Sequence, residues 1–379
     1  MLRPSRPAVL AAAVLAAAYG FYRWAKAMAE AHMADAHASL QWLAARHASL
    51  AHYDPPSSPS EARGYVQWSE APRVDALVVH GSSFASVPSA AADLFADVLY
   101  PAGCRVVVLT GGVGRETPPL WAELADRQLT GLFGATEGWS RARPPTHVAL
   151  PTQRLSSKPV LEGYDLQMSP EKLQTYCTEA DVFLEIFVAR CKERGVDVEY
   201  AGNPMANVTA AGGGGDADVA RVYLETGSTH TGTNVEYARA TLAAIGLATS
   251  RLAPSPSSSP SYEPLQNGAA TGAPPVLAVV QQPQLQRRTC LTWQQQTGVA
   301  PIGWTVRPTE EATGRSVSEM LMYAIGELHR IPEYAASDKA FCAMPSDFPH
   351  ALSERMGQLE PAIRAAAKLE AEAKAGSTA

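Results

Sequence analysis

Short apolar runs alternate with amphipathic segments through the middle of this chain. The runs with the length and composition of buried strands are Val74–His80, Arg105–Thr110, Val222–Leu224 and Pro275–Val280. Helical patterns separate them: from Asn234 onward, for example, apolar residues recur at three- and four-residue steps. This alternation predicts an α/β fold, in which helices cover both faces of a mainly parallel sheet.

The same patterning divides the chain into four parts. We expect a targeting or anchor segment over residues 1–30 and a helix with a linker over 31–64. The α/β domain is predicted over 65–315, with flexible insertions near 131–169 and 253–275, where Gly, Pro and Ser are frequent. From residue 316 to 379 the pattern predicts a helical C-terminal part that ends in a polar tail.

Composition narrows the classes of function. The chain has 379 residues and a net charge of -6, without a long basic run, so we do not expect a nucleic-acid partner. Its five cysteines are scattered and form no CxxC pair, and its histidines are not at metal-ligand spacing. The sequence therefore predicts no metal site, and the cysteines are typical of core positions in a reducing compartment.

The N-terminus carries a different signal. An apolar stretch, Ala8–Tyr22, lies between Arg3 and Arg6 on one side and Arg23 and Lys26 on the other, with no acidic residue before Glu30. The stretch is shorter than the roughly 20 residues of a spanning helix. Three interpretations remain open, namely a transit peptide, a signal peptide or short anchor, and an Ala-rich surface helix. Targeting is favoured, so we expect a membrane-associated or organellar protein.

Polar loops follow the four predicted strands. They are Gly81–Ser83, Thr110–Gly114, Glu225–Asn234 and Gln281–Gln284, the last of which leads to two adjacent arginines. The carboxyl ends of parallel strands lie at one edge of a sheet, so these loops are expected to meet there. Glycine N–H groups, hydroxyls, amides and a guanidinium together predict a pocket for a small anionic or zwitterionic molecule.

Twelve residues of these loops and of the helix that follows the last loop are candidate ligand-binding residues: Gly81, Ser82, Gly111, Gly112, Glu225, Ser228, Thr229, Thr231, Asn234, Gln282, Arg287 and Arg288. Adjacent arginines on a helix point about 100° apart, so at most one faces the pocket, and Arg287 is the first choice. Each candidate also has a structural interpretation. Gly111 and Gly112 could form only a tight turn, and Glu225 could anchor its loop through backbone N–H groups.

Three known motifs do not fit. Gly227–Thr233 has the glycine spacing of a phosphate-binding loop but lacks the lysine, which excludes an ATPase of that type. Gly112–Gly114 lacks the third glycine of a dinucleotide fingerprint. Ser83 follows a strand as a hydrolase nucleophile would, with His350 as a partner, but the final glycine of that motif is absent.

Several segments resemble a known family. Thr110-Gly-Gly-Val-Gly114, Leu224-Glu-Thr-Gly-Ser-Thr-His-Thr-Gly-Thr-Asn234 and Val279-Val-Gln-Gln-Pro-Gln-Leu-Gln-Arg-Arg-Thr289 resemble the YdcF branch of the SanA/ElyC/YdcF domain-of-unknown-function family. Thr178-Glu-Ala180, Gly326–Arg330 and Asp347–Pro349 add to the resemblance. It implies a Rossmann-like three-layer sandwich, a helical C-terminal part and S-adenosylmethionine as a ligand, without an established reaction.

The family resemblance also implies ties to the cell envelope and an N-terminal anchor. One departure concerns catalysis: Thr233 stands where the family has Glu, and His230 where it has Asn. The remaining candidate catalytic carboxylates are Glu179 and Glu225.

Three hypotheses of function follow. The preferred one is a Rossmann-like protein that binds a nucleotide-like small molecule, with S-adenosylmethionine as first candidate. The second is a hydrolase or transferase that acts on phosphate- or carboxylate-bearing substrates. The third is a non-enzymatic factor of the envelope or of an organelle membrane.

Overall fold

The structure of the protein is a computed structural model. It covers residues 32–44, 73–112, 117, 120, 178–204, 208–209, 218–228, 230–247, 274–307, 316–337 and 341–377. The predicted N-terminal segment 1–30 and the predicted insertions near 131–169 and 253–275 lie outside these residues. Within the described ranges, every helix is too short or too polar to cross a membrane.

A seven-stranded sheet forms the centre of the molecule. Its strands are β1 (Ala76–Val79), β2 (Val106–Thr110), β3 (Val198–Asn203), β4 (Val208–Thr209), β5 (Ala220–Glu225), β6 (Leu277–Val280) and β7 (Ile302–Trp304). The strand order is β4-β3-β5-β2-β1-β6-β7. Six strands are parallel, and β4 pairs antiparallel with β3 at one edge.

Helices cover both faces of this sheet and form the C-terminal part. They are α1 (Ser86–Leu94, continued by a π-helical turn, Phe95–Leu99), α2 (Glu179–Glu193), α3 (Thr231–Ala244), α4 (Pro283–Thr297), α5 (Val317–Ala336) and α6 (His350–Ser377). A further helical segment occupies residues 32–44. The predicted α/β class, a Rossmann-like sandwich with a helical C-terminal part, is thus confirmed.

The central strands are apolar on both sides because each side meets a helix layer. In β1, Leu77 and Val79 join the core with α1 and α2, where the rings of Phe95 and Phe187 lie 5.7 Å apart. The alternate residue Val78 joins the opposite core, which α3 and α4 complete. Side chains of neighbouring residues in a strand point to opposite faces, so a continuous apolar run satisfies both layers.

His80 is a core residue rather than a metal ligand. Trp293 Nε1 donates a hydrogen bond of 2.9 Å to His80 Nε2, and His80 Nδ1 lies 3.2 Å from Thr110 Oγ1. Burial lowers the pKa of His80 to about 3, so the ring is neutral near pH 7. The bond joins α4 to the end of β1.

A third core holds the helical segment 32–44 against α4, α5 and α6. Leu40 and Leu43 pack among buried side chains of these helices, such as Leu328. Trp42 receives the Arg287 guanidinium over its ring at 4.7 Å. The N-terminal helix is therefore part of the C-terminal helical body.

The sequence pattern did not predict three of the strands, and it placed the start of helix α3 too late. The strands β3, β4 and β7 lie at the two ends of the sheet, where half-exposed polar residues or a run of only three residues give no clear apolar signal. Helix α3 begins at Thr231 rather than at Asn234. His230 caps it, because Thr233 N donates to His230 Nδ1 and Thr233 Oγ1 accepts from His230 N.

The third core gives a stability prediction. Leu43→Ala removes a fully buried side chain, so we expect a loss of about 2–5 kcal/mol in the free energy of unfolding. Met33→Ala on the same helical segment, where the side chain is 57% exposed, is expected to cost little. Urea denaturation of both variants measures the difference. Equal effects would show that residues 32–44 do not pack as described.

Candidate functional site

The four polar loops leave the same edge of the sheet. Strands β5, β2, β1 and β6 are parallel neighbours, so their carboxyl ends lie side by side. After β1 the chain enters α1 on one face, and after β6 it enters α4 toward the other. Such a divergence of connections creates the crevice in which open α/β sheets bind ligands.

A cleft of about 180 Å³ opens at this edge. Its described lining residues come from three loops, from the first turns of α2 and α3, and from α4 and α5. They are Gly81, Glu179, Ser228, His230, Thr231, Asn234, Gln281, Leu285, Arg288, Tyr323, Glu327, Arg330 and Tyr334. The cleft thus brings together six of the predicted residues, namely Gly81, Glu179, Ser228, Thr231, Asn234 and Arg288.

Glu179 enters the cleft through a gap left by two glycines. A Cβ on Gly81 would lie 2.1 Å from Glu179 Oε2, and one on Gly111 would lie 2.8 Å from Glu179 Cβ. Gly111 also has φ +129°, a conformation that favours glycine. Glu179 Oε1 accepts a hydrogen bond of 2.6 Å from Thr117. The carboxylate is therefore buried, oriented and at the edge of the cleft.

The predicted role of Gly111 and Gly112 as N–H donors to a ligand is wrong. Gly111 N donates to the carbonyl of Glu225 at 3.0 Å, and Gly112 N donates to the carbonyl of Ser228 at 2.7 Å. Their own carbonyls accept from the first two N–H groups of α2, at Glu179 and Ala180. The Gly-Gly turn joins the β5 loop to α2, so its polar groups are used within the protein.

Glu225 supports its loop instead of lining the cleft. Its Oε1 accepts hydrogen bonds from Gly227 N at 2.6 Å and Ser228 N at 2.9 Å, and the residue is 1% exposed. Burial raises the pKa of Glu225 to about 7, against the opposing effects of the Ser228 side chain and backbone N–H groups. These contacts favour the alternative interpretation, in which Glu225 anchors its own loop, over the expectation that it contacts the ligand.

Ser82 and Gln282 bind each other below the cleft. Ser82 Oγ donates to Gln282 Oε1 at 2.6 Å and accepts from Phe84 N at 3.0 Å. Ser83 Oγ lies 3.3 Å from the same Gln282 oxygen and is fully buried, whereas His350 is exposed and packs on Phe348. These contacts give no support to a Ser83 hydrolase. Thr229 lies outside the described residues.

The order of preference between the two arginines is reversed. Arg287 points away from the cleft and forms an ion pair with Asp347 at 2.5 Å, beside the Trp42 ring. It lines a separate groove of about 520 Å³. Arg288, one residue later, lines the cleft and pairs with the fully buried Glu327. The 100° step between adjacent helical residues separates the two roles.

Helix α5 adds a wall that the loop argument did not include. Tyr323, Glu327, Arg330 and Tyr334 are spaced by four, three and four residues, so they share one helix face toward the cleft. Arg330 Nη1 donates to Glu327 Oε1 at 2.7 Å. The spacing of these polar and aromatic residues is visible in the sequence. The candidate residues were chosen from the loops at the sheet edge and the helix start after the last loop, so this helix was not included among them.

No group of metal-ligand side chains occurs among the residues that the structure describes. His230, which lines the cleft, uses Nδ1 to cap α3. Comparison with protein-family models finds no match to this chain, and a search of curated proteins finds no similar sequence. The interpretation of the cleft accordingly depends on its own geometry, and the resemblance described above stays a prediction.

The pKa of Glu225 gives a testable pH dependence. Between pH 4.5 and about 7 the folded protein keeps a proton that the unfolded chain releases, so this residue lowers stability as the pH rises through that window. Glu225→Gln keeps an oxygen for Gly227 and Ser228 but cannot ionise. Its stability relative to the original protein should therefore rise by up to about 3 kcal/mol across the window.

Thermal and urea unfolding at several pH values measure this difference. Glu354→Gln, on the exposed side of α6, is the control for the loss of one carboxylate. A stability difference for Glu225→Gln that does not change with pH would contradict the assigned burial of Glu225.

Proposed function

We propose that the cleft binds a small nucleotide-like molecule, with S-adenosylmethionine as the ligand to test first. The observation that carries the proposal is the presence of opposite charges in one crevice. The guanidinium groups of Arg288 and Arg330 line the same cleft as the Glu179 carboxylate. Such an arrangement offers bidentate pairing to an acidic group and hydrogen-bond acceptance from an amino or ribose hydroxyl group.

Other features of the cleft support a ligand of this kind. It lies at the carboxyl edge of a parallel sheet, and the first turns of α2 and α3 contribute to its lining. Tyr323 and Tyr334 add aromatic surface suited to a planar base. Small-ligand sites combine such apolar surface with a few converging polar groups.

The adjacent arginines of α4 provide a matched pair of variants. Arg288→Gln removes a guanidinium from the cleft, so we expect S-adenosylmethionine to bind about ten- to a hundredfold more weakly, the value of one charged hydrogen bond. Arg287→Gln removes the same group outside the cleft and should leave the affinity unchanged while it lowers thermal stability. Isothermal titration calorimetry measures affinity, and circular dichroism measures folding.

Two results would contradict the proposal. One is the absence of binding by the folded, unmodified protein at millimolar ligand. The other is an equal loss of affinity in the two arginine variants, because only Arg288 lines the cleft.

A second candidate function is a transferase or hydrolase, which the position of Glu179 favours. This carboxylate is 6% exposed, is oriented by Thr117 and lines the cleft, as a general acid or base must. A screen for turnover of carboxylate-bearing metabolites should then give an activity that Glu179→Gln reduces by about a hundredfold or more. Activity that is unchanged in that variant would remove this candidate.

A further inference from the structure

We infer that His230 makes one wall of the cleft acid-sensitive, because protonation of its imidazole breaks the cap of helix α3 and loosens the turn that carries Thr231 and Asn234. The inference goes beyond the proposed binding function and does not depend on which molecule the cleft holds. It describes a conformational device that responds to mild acid.

The cap of α3 uses an atom that also binds protons. Thr233 N donates a hydrogen bond of 3.3 Å to His230 Nδ1. The nitrogen accepts this bond only while it is unprotonated, because both ring nitrogens of an imidazolium are donors. A histidine ordinarily titrates at about pH 6.5, whereas the Asn, Ser and Thr side chains that cap most helices do not titrate there. Protonation therefore sets a second N–H group against the N–H of Thr233.

The ring of His230 is both fixed on the turn and open to solvent. A Cβ on Gly232 would lie 3.2 Å from His230 Cε1 and from His230 Nδ1, so the ring packs against the backbone of the turn. His230 is exposed, so its ring can exchange protons without opening of the core. The N-terminus of a helix carries partial positive charge, which an imidazolium would oppose. The lost bond and this repulsion both weaken the start of α3 in acid.

The capped turn forms part of the cleft. Thr231 is 7% exposed and Asn234 is 5% exposed, and both line the cleft. Asn234 N donates to the carbonyl of His230 at 2.9 Å. From α4, Gln296 Nε2 donates to the carbonyl of Gly232 at 3.2 Å. Helix α4 thus holds the turn from the side and His230 holds it from the end, so loss of the end contact frees the residues that face the cleft.

Other ionisable side chains lie around the same turn. Those that line the cleft are Glu179 of α2, Arg288 of α4, and Tyr323, Glu327, Arg330 and Tyr334 of α5. Glu236 and Arg239 follow on α3 itself. Glu225 precedes the loop, and burial raises its pKa to about 7, within the same range of pH. The effect of His230 is therefore isolated by variants that keep all these groups and differ only at position 230.

Two substitutions of His230 separate the states of the cap. His230→Asn keeps a side-chain acceptor that does not titrate, and His230→Ala has no acceptor at any pH. Hydrogen exchange over residues 233–237, read by mass spectrometry at about pH 7.5 and about pH 5, reports the opening of the turn on either side of the ordinary pKa of histidine. Comparison of the proteins at the same pH removes the intrinsic pH dependence of exchange.

Acid should move the unmodified protein from one variant to the other. At about pH 7.5 we expect it to exchange at a rate similar to that of the Asn variant. At about pH 5 it should exchange about three- to thirtyfold faster than the Asn variant and approach the Ala variant, which is the fold-change for loss of one N-cap. A ratio between the unmodified protein and the Asn variant that is the same at both pH values overturns the inference. Should the Ala variant fail to fold, this ratio still decides.

A second histidine supplies the matched control. His329 is exposed on α5 and lies near Gly357 of α6, so His329→Asn removes an imidazole elsewhere and should keep the acid response of residues 233–237. Loss of the response in that variant would overturn the assignment to His230.

Titration of S-adenosylmethionine into the unmodified protein at neutral pH tests the proposed function separately. Absence of binding together with an acid-dependent exchange ratio overturns the proposed function and supports the inference. Binding together with a constant ratio does the reverse.

Discussion

The contact between helix α2 and the two turns that follow β1 and β2 is the constraint on which the cleft depends. Gly81 and Gly111 leave room for Glu179, while the carbonyls of Gly111 and Gly112 accept hydrogen bonds from the first turn of the helix. Because the turn also binds the β5 loop, one small region fixes three segments that are distant in the chain. Its glycines serve to place a carboxylate, rather than to expose backbone to a ligand.

Three of the buried carboxylates, Asp93, Glu327 and Glu225, are stabilised in two different ways. Asp93 and Glu327 each lie between two arginines, which join α1 to α2 and α4 to α5 respectively. Glu225 instead accepts backbone N–H bonds within its own loop. The ion pairs fix helices relative to each other and break at high cost, whereas the loop carboxylate can change its protonation state near neutral pH.

The sequence was sufficient to predict the α/β architecture and the edge of the sheet at which the cleft lies. Continuous apolar runs and three- to four-residue periodicity are local signals, and the structure contains the strands and helices that they predict. The direction in which an individual side chain points is not determined by the local sequence. Arg287 and Arg288 have the same chemistry and differ only in what packs beside them, namely Trp42 for one and Glu327 for the other. Likewise, the sequence around Gly111 and Gly112 does not show that their N–H groups donate to carbonyls of the β5 loop.

Helix α4 carries both the wall of the cleft and the attachment of the N-terminal helix. Arg288 faces the crevice, and Arg287 holds Trp42, so the two features are one residue apart on the same rigid rod. A displacement of residues 32–44 would consequently act on the helix that lines the crevice. Residues 32–44 are thus held at a set orientation to the crevice.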